Sequence, residues 1–219
     1  MIDAVVFDLD GVLVDSEELW SAAREQLTLE RGGHYSPEAT RAMMGMSSLE
    51  WSRYMRDALG VDMAPQDISD AVVERLVALY RERVPLIAGA RDAVAAVAQR
   101  WRLGLASSAN RRIIDLALEL TDMESLFAAT VSSEEVPRGK PAPDVYLEAA
   151  RRLQTTPDVC AAVEDSSNGL RSAAAAGMTV VAVPNHAFPP EPDALDLAAV
   201  VLDSIGQLPD ALGRLAKPA

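Results

Sequence analysis

The sequence predicts an α/β fold in which a parallel sheet, covered on both faces by helices, carries a wholly helical insertion after its first strand. Three observations predict it. From about residue 87 to the end, short apolar runs alternate with helix-periodic stretches, the order expected of βα units. A first apolar run opens the chain at residues 4–7 and stops at acids and a glycine. Between about residues 16 and 83 the patterning is helical and contains no convincing strand.

Residues 4–7 (AVVF) read as a buried first strand, since a strand covered on both faces is a continuous apolar run. Helices are then expected over 16–31, 37–43, 47–59 and 65–83, with Ser or Pro near several of their starts, as helix N-termini favour. Beyond them, apolar runs at 103–107, 127–132, 160–163 and 179–183, with a weaker one at 199–202, predict five more strands. Helical patterns at 90–99, 111–120, 143–153 and 168–176 fall between them. Pro189-Pro190-Glu191-Pro192 marks a late surface loop. The expected division is a catalytic core of residues 1–15 and 84–219 and a helical cap of residues 16–83. A cap there stands above the carboxyl ends of the strands, where open α/β sheets bind ligands.

The 219 residues are 49% hydrophobic and 24% charged, an ordinary globular composition. A formal net charge of -13 argues against a nucleic-acid binder and against docking on an anionic membrane. An acidic chain that binds an anion must gather positive charge locally, from a metal, a Lys or helix N-termini. Cys160, the single cysteine, sits among apolar neighbours and reads as a core residue. The start, MIDAVVFDLDG, has no basic region ahead of its apolar residues and does not read as a signal peptide. The expected location is the cytoplasm, and the expected state is a monomer or weak homodimer.

Four segments carry chemistry, each at the end of a predicted strand. In Asp8-Leu9-Asp10-Gly11 two carboxylates two residues apart point the same way in an extended chain. They are solvated turn acids, share a proton, or hold a divalent cation. Glu164-Asp165 follows the strand at 160–163. It either adds oxygen ligands suited to Mg²⁺ or places Asp165 as the cap of the next helix. Ser107-Ser108 brings hydroxyls to a strand–helix junction, either as an anion site or as a helix cap. Lys140, between Gly139 and Pro141, is either a solvated surface charge or a fixed cation that a stiff loop holds against a phosphate.

Taken together, DLDGVLVDSE, LASSAN, GKPAPDVY and VEDSSNGLRSAAAAGM, spanning residues 8–178, resemble the haloacid dehalogenase superfamily, most nearly its β-phosphoglucomutase-like branch. The resemblance implies a doubly wound Rossmann-like core with an inserted small helical cap. It implies a phosphatase in which Asp8 is the nucleophile and forms an aspartyl-phosphate, while Asp10 is the acid and then the base. Ser107 and Lys140 would bind the transferring phosphoryl group. Mg²⁺ would be held by Asp8, the backbone carbonyl of Asp10 and Asp165, with Glu164 as a further or supporting acid. The implied substrate is a small phosphorylated metabolite.

Asp10 separates this chain from relatives that break carbon–halogen bonds, which lack the second acid. Residues 16–83 contain no Lys, which disfavours the imine-forming relatives that cleave carbon–phosphorus bonds. The alternative is a phosphosugar mutase. Mutases of this branch carry a His where Trp20 stands and a cap Arg where Ser48 stands, so the balance favours hydrolysis. Trp20, Met43, Met44, Met46, Trp51 and Tyr54 are expected mostly in the core of the helical segment, with Trp20 and Met46 facing the site. Arg53 and Arg56 are expected on a solvated helix face, and His34 and His186 have no assigned role.

Overall fold

A computed structural model of the protein describes residues 2–185 and 188–216, so His186 lies outside the described residues. The strands are β1 Ala4–Phe7, β2 Arg102–Ser107, β3 Phe127–Ser132, β4 Cys160–Glu164, β5 Thr179–Ala182 and β6 Val200–Val201. They form a 6-stranded sheet in the order β3-β2-β1-β4-β5-β6, and every pairing is parallel. The chain winds outward from β1 in one direction, then restarts at β4 and winds in the other. The order therefore reverses between β1 and β4, and the carboxyl ends of those two strands border the crevice where such sheets bind ligands.

Four helices follow β1: α1 Glu17–Glu30, α2 Pro37–Met43, α3 Ser48–Asp57 and α4 Pro65–Glu82. Ser36 caps α2 by accepting from the Ala39 amide at 3.4 Å. At the start of α3 the Glu50 carboxylate accepts from the Ser47 amide at 2.8 Å. The remaining helices are α5 Ala90–Ala98, α6 Arg111–Leu120, α7 Asp144–Arg152, α8 Ser167–Ala175, α9 Pro192–Leu195 and α10 Leu208–Leu215. The two last helices are absent from the sequence expectation. α10 contains Gly213, a poor helix former, and is held by burying Leu208, Ala211 and Leu212.

Side-chain alternation along β1 fixes the two core layers. Val5 and Phe7 pack on one face with Leu103, Leu105 and Val163, under Val94, Ile113 and Leu212 from α5, α6 and α10. Ala4 and Val6 pack on the other with Ala106 and Ala162, under Tyr146 and Leu170 from α7 and α8. The first layer runs on through Leu9 and Leu13 into Leu27, Trp51, Ile68 and Leu76, so the interior of α1–α4 is continuous with it.

The passages into and out of this helical segment lie side by side. The Asp15 amide donates to the Pro85 carbonyl at 2.8 Å and the Ile87 amide to the Leu13 carbonyl at 2.9 Å. Across the top, an ion pair joins Glu74 of α4 to Arg112 of α6. The Asn110 side-chain amide also donates to Ser69 Oγ at 3.1 Å. Among the described residues, no helix is long and apolar enough to cross a membrane.

Phe7 is fully buried and meets Phe127 edge to face, with ring centroids 6.0 Å apart at 88°. Phe7→Ala removes that ring from the strand that carries Asp8. We expect a loss of about 3–5 kcal/mol in urea unfolding; a loss below about 1 kcal/mol would mean that the layer closes over the gap.

Candidate active site

Asp8 directly follows β1, and its amide donates to the Val163 carbonyl of β4 at 3.0 Å. Sheet pairing thus fixes the Asp8 backbone at the point where the strand order reverses. Its Oδ1 accepts from the Leu9 amide at 2.8 Å. Its Oδ2 lies 3.0 Å from Lys140 Nζ. Lys140, in the loop before α7, is 3% exposed and also reaches Glu164 Oε1 at 2.5 Å. Tyr146 of α7 donates to that same oxygen at 2.7 Å. The second Glu164 oxygen accepts from the Asp165 and Ser166 amides at 3.1 and 3.4 Å. A Cβ on Gly169 would fall 1.9 Å from the Glu164 carboxyl carbon, so a residue without a side chain is required beneath it.

Asp8, Glu164 and Asp165 are buried together, each offering an oxygen within 4.8 Å of the others. Burial pushes the Asp8 carboxyl well above its ordinary value, Glu164 and Asp10 push it further, and Lys140 pulls against them. Burial, then Glu164 and Asp8, do the same to Asp165. Burial alone would lower Lys140, but Asp8 and Glu164 carry it above the usual lysine range. The cluster therefore holds more negative charge than its one lysine offsets. Lys140, Tyr146 and backbone amides engage Glu164, leaving Asp8 and Asp165 short of positive charge. An all-oxygen, carboxylate-rich set of this kind fits a hard divalent cation. Gly11 makes room for the Asp165 carboxylate: at φ +77°, a Cβ there would fall 1.9 Å from Asp165 Oδ2.

Geometry removes the helix-cap alternatives for these segments. Ser166, not Asp165, caps α8, accepting from the Gly169 amide at 3.1 Å. Neither serine of the 107–108 pair caps α6, whose first amide donates to Glu134 at 2.8 Å. Ser107 is fully buried, accepts from the Ala109 amide at 3.0 Å and points at Asp10 Oδ2 at 3.4 Å. Ser108 donates to the Gly45 carbonyl in the α2–α3 connection at 3.2 Å. Asp10 Oδ1 accepts from Ser16 Oγ and, at 3.2 Å, from the Trp20 indole. The Asp10 carboxylate is thus gripped from the first turn of α1 and from the end of β2.

A cavity joins these groups, lined by Asp8, Asp10, Lys140 and Asp165 on the sheet side. Trp20 and Met46 line it from the helical segment, as expected from the sequence, and Met43, Met44 and Trp51 line it too. They serve the small helical core and the cavity wall at once. Arg53 and Arg56 are exposed, as expected. His34 is exposed, and Cys160 is buried with its thiol pushed up by burial. Sequence reasoning missed Glu17 and Arg24, which line the cavity from α1. It also missed Tyr146 as a partner of Glu164. The signal for the first pair was spacing, because residues 17, 20 and 24 share one helix face and Trp20 marks that face as buried.

Residues 5–183 match the family described as haloacid dehalogenase-like hydrolase. Over 211 residues the chain is 34% identical to hexitol phosphatase B of Escherichia coli (strain K12), covering 94% of this chain and 93% of that protein. It is 30% identical over 202 residues to a phosphorylated carbohydrates phosphatase of Thermotoga maritima, covering 92% of this chain and 94% of that one. A crystal structure of CbbY from Rhodobacter sphaeroides in complex with phosphate superposes with a TM-score of 0.84 at 28% identity, covering 95% of this chain and 96% of that one. The chain belongs to the haloacid dehalogenase-like hydrolases and is an enzyme of the phosphoric monoester hydrolase class for which these relatives are named.

The raised Asp8 and Asp165 carboxyls predict a pH dependence for any divalent-cation binding at this cluster. Below the unfolded carboxylate value of about 3.9 both states are protonated and no penalty exists. As pH rises from there toward the raised folded values, the unfolded chain ionises first and stability falls. A divalent cation favours the ionised pair and removes that penalty. The thermal-shift gain from Mg²⁺ over chelator should therefore be larger at about pH 8 than at about pH 5, and Asp165→Asn should largely abolish it. An equal gain at both pH values would contradict this.

Proposed function

We propose that the protein is a Mg²⁺-dependent phosphatase of a small phosphorylated sugar or sugar alcohol, working through a phosphorylated Asp8. The observation that carries the proposal is the Asp8 carboxylate, held at the reversal point of the sheet with Lys140 3.0 Å from one of its oxygens. Two anions, a carboxylate and a phosphate, can meet there because positive charge is already in place. The substrate class follows the names of the relatives, hexitol phosphatase B and the phosphorylated carbohydrates phosphatase.

In the first step an Asp8 oxygen attacks phosphorus while the bond from phosphorus to the ester oxygen breaks. Asp10 gives its proton to that departing oxygen. In the second step Asp10 takes a proton from water as the water oxygen attacks the same phosphorus, releasing phosphate and restoring Asp8. Ser16 and Trp20 hold Asp10 Oδ1, so Oδ2, toward Ser107, is the oxygen assigned to carry the proton. Lys140 and the Ser107 region bind the phosphoryl oxygens. Asp8, the Asp10 backbone carbonyl and Asp165 would hold Mg²⁺, which supplies charge neutralisation for the approaching phosphate when bound. We assign Glu164 to holding Lys140, because both its oxygens are engaged. Residues 16–83 are assigned to a cap over a core of 1–15 and 84–219. Ser48, where mutases carry Arg, does not line the cavity, which favours transfer to water.

With an aryl phosphate and Mg²⁺, Asp8→Asn should abolish turnover and the acid-stable phosphopeptide trapped by rapid quench. Asp10→Asn should lower turnover by about 10²–10⁴-fold. Full turnover in the presence of chelator, or by Asp8→Asn, would refute the proposal.

A further inference from the structure

One wall of the cavity carries ionisable side chains that the chemistry above does not use. Glu17, Trp20 and Arg24 lie at i, i+3 and i+7 on α1, along a single stripe. Arg24 is 5% exposed, and its guanidinium carbon sits 4.8 Å from the Trp20 ring and 5.1 Å from the Trp51 ring. Its Nε has no hydrogen-bond partner among the described residues. Glu17 Oε1 is likewise shut away from solvent with no partner. Both residues line the same cavity as Asp8 and Asp10.

A buried donor and a buried acceptor left unsatisfied in a folded protein call for an explanation. Here the two residues that carry them line one cavity together with the reacting groups. We propose that Glu17 and Arg24 form the subsite that reads the hydroxyl-bearing carbon chain of the substrate. A substrate hydroxyl donates to the Glu17 carboxylate, and Arg24 donates to an oxygen of the same or the next hydroxyl. Trp20, Trp51, Met43 and Met46 pack against the C–H faces between them. This rests on the phosphatase reading and narrows it to polyhydroxylated monophosphates.

A second phosphate or a carboxylate is the obvious competitor for a buried Arg. The charges around Arg24 oppose it. Glu17 and Asp10 both act on Arg24 electrostatically, and Asp15 lines the same cavity. A further anion there would meet one guanidinium and several carboxylates, whereas a neutral hydroxyl needs no extra positive charge. A site built to hydrogen-bond a hydroxyl also rejects an analogue lacking it, because its own groups are then left unpaired.

The test separates binding from turnover. In the full chain carrying Asp8→Asn, with Mg²⁺, tryptophan fluorescence follows titration by a hexitol 6-phosphate, hexyl phosphate and a hexose 1,6-bisphosphate. We expect the hexitol phosphate to bind at least about 30-fold more tightly than either of the others. Arg24→Lys and Glu17→Gln, each added to Asp8→Asn, should cut that preference by about 10-fold or more. Equal binding of hexyl phosphate, tighter binding of the bisphosphate, or a preference that survives both substitutions would overturn the subsite. Turnover of an aryl phosphate by the unsubstituted protein reports on the phosphatase reading alone. Selective binding without turnover would sink that reading and leave the subsite standing, and turnover without selective binding would do the reverse.

Discussion

Lys140 sits between two carboxylates in a place where none of the three could stand alone. A lysine that is 3% exposed and a glutamate that is 0% exposed each carry a large desolvation penalty. Their contact, the further contact with Asp8, and the Tyr146 hydroxyl on Glu164 offset it. The arrangement draws on three separate parts of the chain: the end of β1, the loop before α7, and the end of β4. Gly169 is part of the same constraint, because any side chain at that position would occupy the space of the Glu164 carboxyl. Apart from Lys217, every other Lys or Arg position in the chain is an Arg. The compact, strongly charged ammonium is therefore placed where a point charge between two carboxylates is needed, not a planar fork.

This network leaves an excess of negative charge on Asp8 and Asp165, and that excess links the fold to the chemistry. In the proposed function, a cation and a phosphate group would complete a site in which burial and neighbouring carboxylates raise Asp8 and Asp165. Asp10 ties the same site to the helical segment. Its carboxylate is bonded by Ser16 and Trp20 from the start of α1 and approached by Ser107 from β2. Movement of α1 relative to the sheet would therefore change the hydrogen bonding of Asp10 directly. The Ser108 contact to Gly45 and the Glu74–Arg112 ion pair close the segment over the sheet, leaving Trp20, Trp51 and Met46 as the wall opposite Asp8.

Much of the fold was legible in the sequence, because buried parallel strands and amphipathic helices write different periods. α2 and α6 match their expected spans, and every expected strand forms. The elements that were not legible are short ones held by tertiary burial. α10 has weak intrinsic helical preference, and α9 begins inside a proline-rich stretch read as loop. The acids at 8, 10, 164 and 165 and the serine at 107 stand out because they end or follow apolar runs, and Lys140 because Gly139 and Pro141 flank it. Glu17 and Arg24 did not stand out, because charged residues on a helix are ordinarily solvated. Their shared face with Trp20 was the one sequence signal, and the packing of Trp20 and Trp51 around Arg24 shows that this face is buried.

The sequence by itself determined the strand order and most of the helix order, because local periodicity is written along the chain, and it singled out Asp8, Asp10, Ser107, Lys140, Glu164 and Asp165 as candidates. Tertiary structure decided which of these groups meet. It gave both oxygens of Glu164 to partners, with Lys140 on one of them, released Asp165 by making Ser166 the helix cap, and turned Trp20 toward Asp10. It also buried Arg24 between Trp20 and Trp51. Such choices depend on distances between residues far apart in sequence, and those distances exist only after the sheet has paired.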